Sequence, residues 1–91
     1  MKELYVGRQE ERDEIGQLHR FDYYILVDQM DIEGAFACES YGIKITALEK
    51  SESIQIPHIT TDIKRIGDLA SCLLRNTVTP STLKDVVLDW L

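Results

Sequence analysis

At 91 residues the chain can bury one core and not two, because a second would need apolar surface that so short a chain lacks. An apolar fraction of 44% beside 29% charged residues is ordinary for a folded domain and excludes wholesale disorder. The formal net charge of −6 has the wrong sign for gripping a phosphate backbone, and there is no apolar run of about 18 residues to cross a membrane.

The first element is a short strand over about 3–8, with Leu4 and Val6 on one side and Tyr5 on the other. The charged run Gln9-Glu10-Glu11-Arg12-Asp13-Glu14 breaks the apolar period and reads as a solvated loop ending at Gly16. A long clean alternation then predicts a strand over about 18–30. Phe21, Tyr23, Ile25 and Val27 share one face, and Arg20, Asp22 and Asp28 the other. Tyr24 and Leu26 are apolar residues on that otherwise charged face.

The turn Asp31-Ile32-Glu33-Gly34 leads into a strand over about 36–49, in which Tyr41, Ile43, Ile45 and Ala47 alternate inward. Gly42 within it marks a bulge or a close approach of backbone. A polar loop from Lys50 to Ser53 opens a fourth strand over about 53–59, which Pro57 pushes to an edge or ends. Its register has two solutions: Ile54 and Ile56 share a face with Ile43 and Ile45, or a one-residue slip sets them with Thr46 and Leu48.

Thr60-Thr61-Asp62 supplies a hydroxyl cap and an acid for a helix over about 61–75, whose Ile63, Ile66, Ala70 and Leu73 recur at spacings of three and four. Thr79 and Pro80 open a second helix over about 80–90 with the stripe Leu83, Val86, Val87, Trp90 and Leu91, and Trp90 is expected to dock in the core. Strands first and helices last predict an α+β domain spanning residues 1–91. Its sheet is an antiparallel meander of three to four strands, with both helices packed on one face.

The combination Phe21-Asp22-Tyr23-Tyr24, Tyr41-Gly42-Ile43-Lys44-Ile45, Ile59-Thr60-Thr61-Asp62 and the ending Val78-Thr79-Pro80-Ser81-Thr82-Leu83-Lys84-Asp85-Val86-Val87-Leu88-Asp89 resembles a family of short proteins from gut and soil Firmicutes. The resemblance covers about 18–91. That family is a domain of unknown function, so the resemblance implies no activity and no catalytic residues, and His58 stands where the family more often carries an acid.

Residue chemistry points the same way. His19, His58, Cys38 and Cys72 are too scattered for the closely spaced ligand pairs of a zinc site, and no nucleophile is placed beside a base. No catalytic residue, metal or cofactor is therefore expected. The two cysteines read as reduced thiols, the N-terminus lacks a signal-peptide pattern, and the expected location is the cytoplasm. Lys64, Arg65 and Arg75 read as a solvated helix surface.

Two candidate sites remain. If both helices cover the Phe21 face, then Tyr5, Tyr24, Leu26 and Phe36 are left on an open sheet face, the candidate interface of a homodimer or of another protein partner. The alternative is a small-molecule or anion site at the strand-to-helix junction from His58 to Asp62, using His58, Thr60 and Thr61.

Overall fold

The computed structural model describes residues 1–30 and 38–91, and in it the predicted α+β order holds. Strands β1 (Lys2–Arg12), β2 (Leu18–Met30), β3 (Cys38–Ala47) and β4 (Glu52–Thr60) form one antiparallel meander in sequence order, followed by helices α1 (Ile63–Arg75) and α2 (Leu83–Trp90). The turn expected at Asp31–Gly34 and the candidate Phe36 lie outside the described residues.

The inward phase of the central strands is the one their alternation predicts. Phe21, Tyr23, Tyr41, Ile43, Ile45 and Ala47 form one buried cluster with Ile66, Leu69, Ala70 and Leu73 of α1 and Leu83 and Val87 of α2, so both helices cover the same sheet face. Ile43 lies opposite Ile56 and Ile45 opposite Ile54, which selects the first of the two registers. A buried hydrogen bond ties the layers: the Tyr23 hydroxyl donates to the Val78 carbonyl at 2.7 Å, between α1 and α2. Burial and the charge of Glu11 push that hydroxyl's pKa up to about 12.

Several boundaries move. The charged run expected as a loop is largely strand, since Gln9 to Arg12 continue β1 opposite Phe21 to Leu18. An edge strand tolerates charge on both faces, and Glu10 lies opposite Arg20. The true turn is Asp13–Gln17, where the Asp13 carboxylate accepts the Ile15 and Gln17 amides and Gly16 takes φ 81°. Within β1 the register shifts between Tyr5 and Gly7, and the extra residue, Val6, packs against the core.

The helix starts also differ. Asp62, not a threonine, caps α1: its carboxylate accepts the Lys64 amide at 2.9 Å and the Arg65 amide at 3.4 Å. Ile63 consequently falls outside the buried stripe, at 69% exposure. Thr79 and Pro80 belong to a turn closed by Thr82 donating its amide to the Thr79 carbonyl, and α2 begins only at Leu83. Trp90 is half-buried rather than central, packed on the rim of the core under the Arg65 guanidinium at 4.5 Å from the ring.

Candidate interaction surface

The outer sheet face, the expected open apolar surface, carries a network of its own side chains. Arg8 grips Asp22 through two hydrogen bonds of 2.7 and 3.0 Å, and the Tyr5 hydroxyl donates to the same carboxylate at 3.3 Å. The Tyr5 ring meets Tyr24 edge-on at 5.5 Å, Lys44 lies 5.6 Å over Tyr24, and Lys44 reaches Glu3 at 2.9 Å. These long side chains lie flat across the strands, using their stems to cover apolar surface while their charged ends pair.

Leu26 sits beyond this network at 1% exposure, although it points away from the helices. Its neighbour across the ladder is Gly42, and the reason for its burial is visible there. Between the pairs Tyr41↔Thr60 and Ile43↔Ile56, β3 contributes Gly42 alone and β4 contributes Pro57, His58 and Ile59. The excess is thrown over the outer face. A Cβ on Gly42 would fall 2.3 Å from the Ile56 carbonyl oxygen and 2.6 Å from Pro57 Cα, so only glycine admits this bulge. His58, at φ 56°, reaches across β3 to set its Nε2 3.4 Å from Asp28 Oδ2.

The predicted interface set is therefore divided. Tyr5 is 58% exposed, Tyr24 is half-buried, and Leu26 is sealed beneath the sheet's outer surface. Asp22, 5% exposed, is the anchor of that surface, and the hydrogen bond from Arg8 holds its carboxyl below the usual carboxylate range. A depressed folded-state pKa means stability that is present above the unfolded value near ~4 and lost as pH falls through the folded one. Asp22→Asn is accordingly expected to flatten the acid side of the stability–pH curve, measured by urea denaturation between neutral pH and the acid limb. An unchanged pH slope would contradict this role.

The junction at His58 to Asp62 offers little to an anion. Thr60 Oγ1 accepts the Asp62 amide at 3.1 Å, and the Asp62 carboxylate already occupies the amides of Lys64 and Arg65. An incoming anion would have to displace a carboxylate that the chain itself supplies. Of the three residues expected there, His58 faces Asp28 and Thr60 accepts the Asp62 amide, while Thr61 stands exposed beside them.

A second concavity of about 280 Å³ lies at the turn end of the sheet, over Phe21 and Ala47. Part of its charged rim is internally paired, while Glu11, Lys50 and Glu52 also line it. His19 meets Asp13 at 2.9 Å, Arg20 meets Glu49 at 2.9 Å, and the Thr79 and Ser81 hydroxyls bond each other at 3.0 Å. The bonds from His19 and the Gln17 amide hold the Asp13 carboxyl below its ordinary value. Cys38 and Cys72 are half-buried free thiols, and Cys72 Sγ accepts from Asn76 at 3.3 Å. Among the described residues, no three His, Cys, Asp or Glu side chains converge on a metal position.

An apolar concavity with exposed walls lies elsewhere. Helix α2 stands off from β4 and leaves a groove of about 350 Å³, walled by Ile54, Ile56, Pro57 and Ile59 on one side and by Val87, Leu88 and Leu91 on the other. Leu88 and Leu91 are 60% and 69% exposed, and Gln55, His58 and Lys84 are the polar residues among those that line it. Sequence reasoning missed Leu88. Its signal was the composition of α2, where Leu83, Val86, Val87, Leu88 and Trp90 leave only Lys84, Asp85 and Asp89 polar. That stripe is wider than one packed face can bury.

A four-stranded meander under a two-helix layer, with its apolar groove on an edge strand, defines a small α+β protein with a surface suited to contact. The chain belongs to DUF6514, a family of unknown function, whose profile matches residues 2–91. No curated protein and no solved structure matches the chain. Among the described residues no helix is long and apolar enough to cross a membrane.

Proposed function

We propose that this protein is a small non-catalytic interaction module that associates with itself through the β4–α2 groove. One observation carries the reading: Leu88 and Leu91, both exposed, flank half-buried Ile54, Ile56 and Ile59 along one apolar concavity. Exposed apolar surface concentrated in this way favours a partner, because covering it removes it from water at roughly 25 cal/mol per Å². The outer sheet face is a poorer surface for the purpose, since its charges are already paired and Leu26 is already covered.

A small domain of this length gains stability from association, which adds buried area to a modest core. Light scattering coupled to size exclusion tests the reading. The wild-type chain is expected to elute with twice the mass of one chain, and Leu88→Glu with the mass of one. A wild-type protein that stays monomeric at high concentration would overturn the proposal.

A further inference from the structure

β4 is an edge strand, and among the described residues no strand lies against the side turned away from β3. From Glu52 to Ile56 it is regular. Pro57, which has no N–H to offer, and His58 at φ 56° end that regularity. Proteins commonly blunt such edges with charge or a bulge, and the opposite edge is treated in this way. β1 carries Lys2, Glu3, Arg8, Glu10, Glu11 and Arg12 along its length, with a register shift at Val6. The Glu52–Ile56 stretch carries a single charge, at its first residue, followed by Ser53, Ile54, Gln55 and Ile56. Ile54 and Ile56 are also walls of the apolar groove, so a strand that pairs here covers the groove as well.

We infer that the occupant is a second copy of this chain, and that the two β4 strands pair antiparallel about a two-fold axis at Ile54, the midpoint of the regular stretch. The inference rests on the self-association reading above and supplies its geometry. With the axis at Ile54, Ile54 faces its own copy, Ser53 faces Gln55 and Glu52 faces Ile56, so no like charges meet across the ladder. The four-stranded sheet of each copy is extended by that of the other, and the contact is the same patch on both.

The helices fit the same arrangement. Both α2 helices lie on the same face of the joined sheet and run antiparallel across the axis, which brings the Leu88–Leu91 stripes of the two copies together over the paired strands. Charge selects this edge too. At −6 per copy, two chains repel over most of their surface. Here Lys84 of each copy approaches the C-terminal end of the other α2, where Asp89 stands and the helix dipole is negative.

Backbone amide hydrogen exchange on the full chain tests the pairing, comparing wild type at a concentration where it is dimeric with Leu88→Glu. Leu88 is 60% exposed, so that variant retains the fold. Amides between Ser53 and Ile56 that point away from β3 are expected to exchange at least about tenfold more slowly in the wild type. Cross-linking gives a second readout that does not depend on Leu88→Glu. With Cys38 and Cys72 replaced by serine, mixed Ser53→Cys and Gln55→Cys chains should oxidise to a linked dimer, and neither should do so efficiently alone. A dimeric wild type whose β4 amides exchange as fast as in Leu88→Glu, or whose mixed cysteines fail to link, overturns the strand pairing while self-association stands. A monomeric wild type overturns both.

Discussion

Gly42→Ala is expected to lower the unfolding free energy by about 3 kcal/mol, the upper end of what a single extra carbon costs in a well-packed site. The atoms it would strike are main chain: the Ile56 carbonyl oxygen at 2.3 Å and Pro57 Cα at 2.6 Å. A flexible side chain could swing aside, but the β4 backbone can retreat only by giving up the bulge. Loss of the bulge would release His58 from Asp28 and uncover Leu26. Urea denaturation reads the effect. A change below about 0.5 kcal/mol, within the range of an ordinary surface substitution, would mean that the β4 backbone does not cross over Gly42.

Leu26→Ala carries the second large effect, a loss of about 3 kcal/mol, because it empties a site that is 1% exposed. The result separates two readings of the outer face. On an open interaction surface Leu26 would be solvent-exposed in the isolated chain, and its truncation would leave stability nearly unchanged. Under the bulge it behaves as a core residue, and Leu26→Glu buries an unpaired charge and unfolds the chain. Thermal or urea unfolding of Leu26→Ala distinguishes these directly. Stability equal to wild type would return Leu26 to the surface.

The parts of the fold that were legible in the chain were those set by local periodicity. Phe21, Tyr23, Tyr41, Ile43 and Ile45 alternate with a period of two, and Ile66, Ala70 and Leu73 recur with a helical one, so their burial followed from pattern alone. The misplaced boundaries came from competition that periodicity does not record. Gln9 to Arg12 have loop composition, yet a paired neighbour strand supplies their backbone hydrogen bonds and an edge position leaves their charges in water. Asp62 displaced Thr60 and Thr61 as the α1 cap because one residue's difference in where the helix begins changes which side chain meets the free amides.

The surface was less legible than the fold. Pro57 and Gly42 each signalled an irregularity, but only their juxtaposition across the β3–β4 ladder shows that the two are one feature, and that it buries Leu26. The outer face could not be read as covered from sequence, because its cover consists of pairs distant in the chain, such as Glu3 with Lys44 and Arg8 with Asp22. The groove depends on how far α2 stands from β4, a tertiary distance with no signature in the spacing of Leu88 and Leu91.

Sedimentation equilibrium on Leu88→Glu and Tyr5→Glu, run side by side with wild type, tests the location of the contact surface most directly. Both substitutions place a carboxylate at a position more than half exposed, so both chains should fold. The β4–α2 groove as contact surface requires Leu88→Glu to sediment as a monomer and Tyr5→Glu to remain a dimer like wild type. A dimeric Leu88→Glu beside a monomeric Tyr5→Glu would place the contact on the sheet face instead and contradict the account.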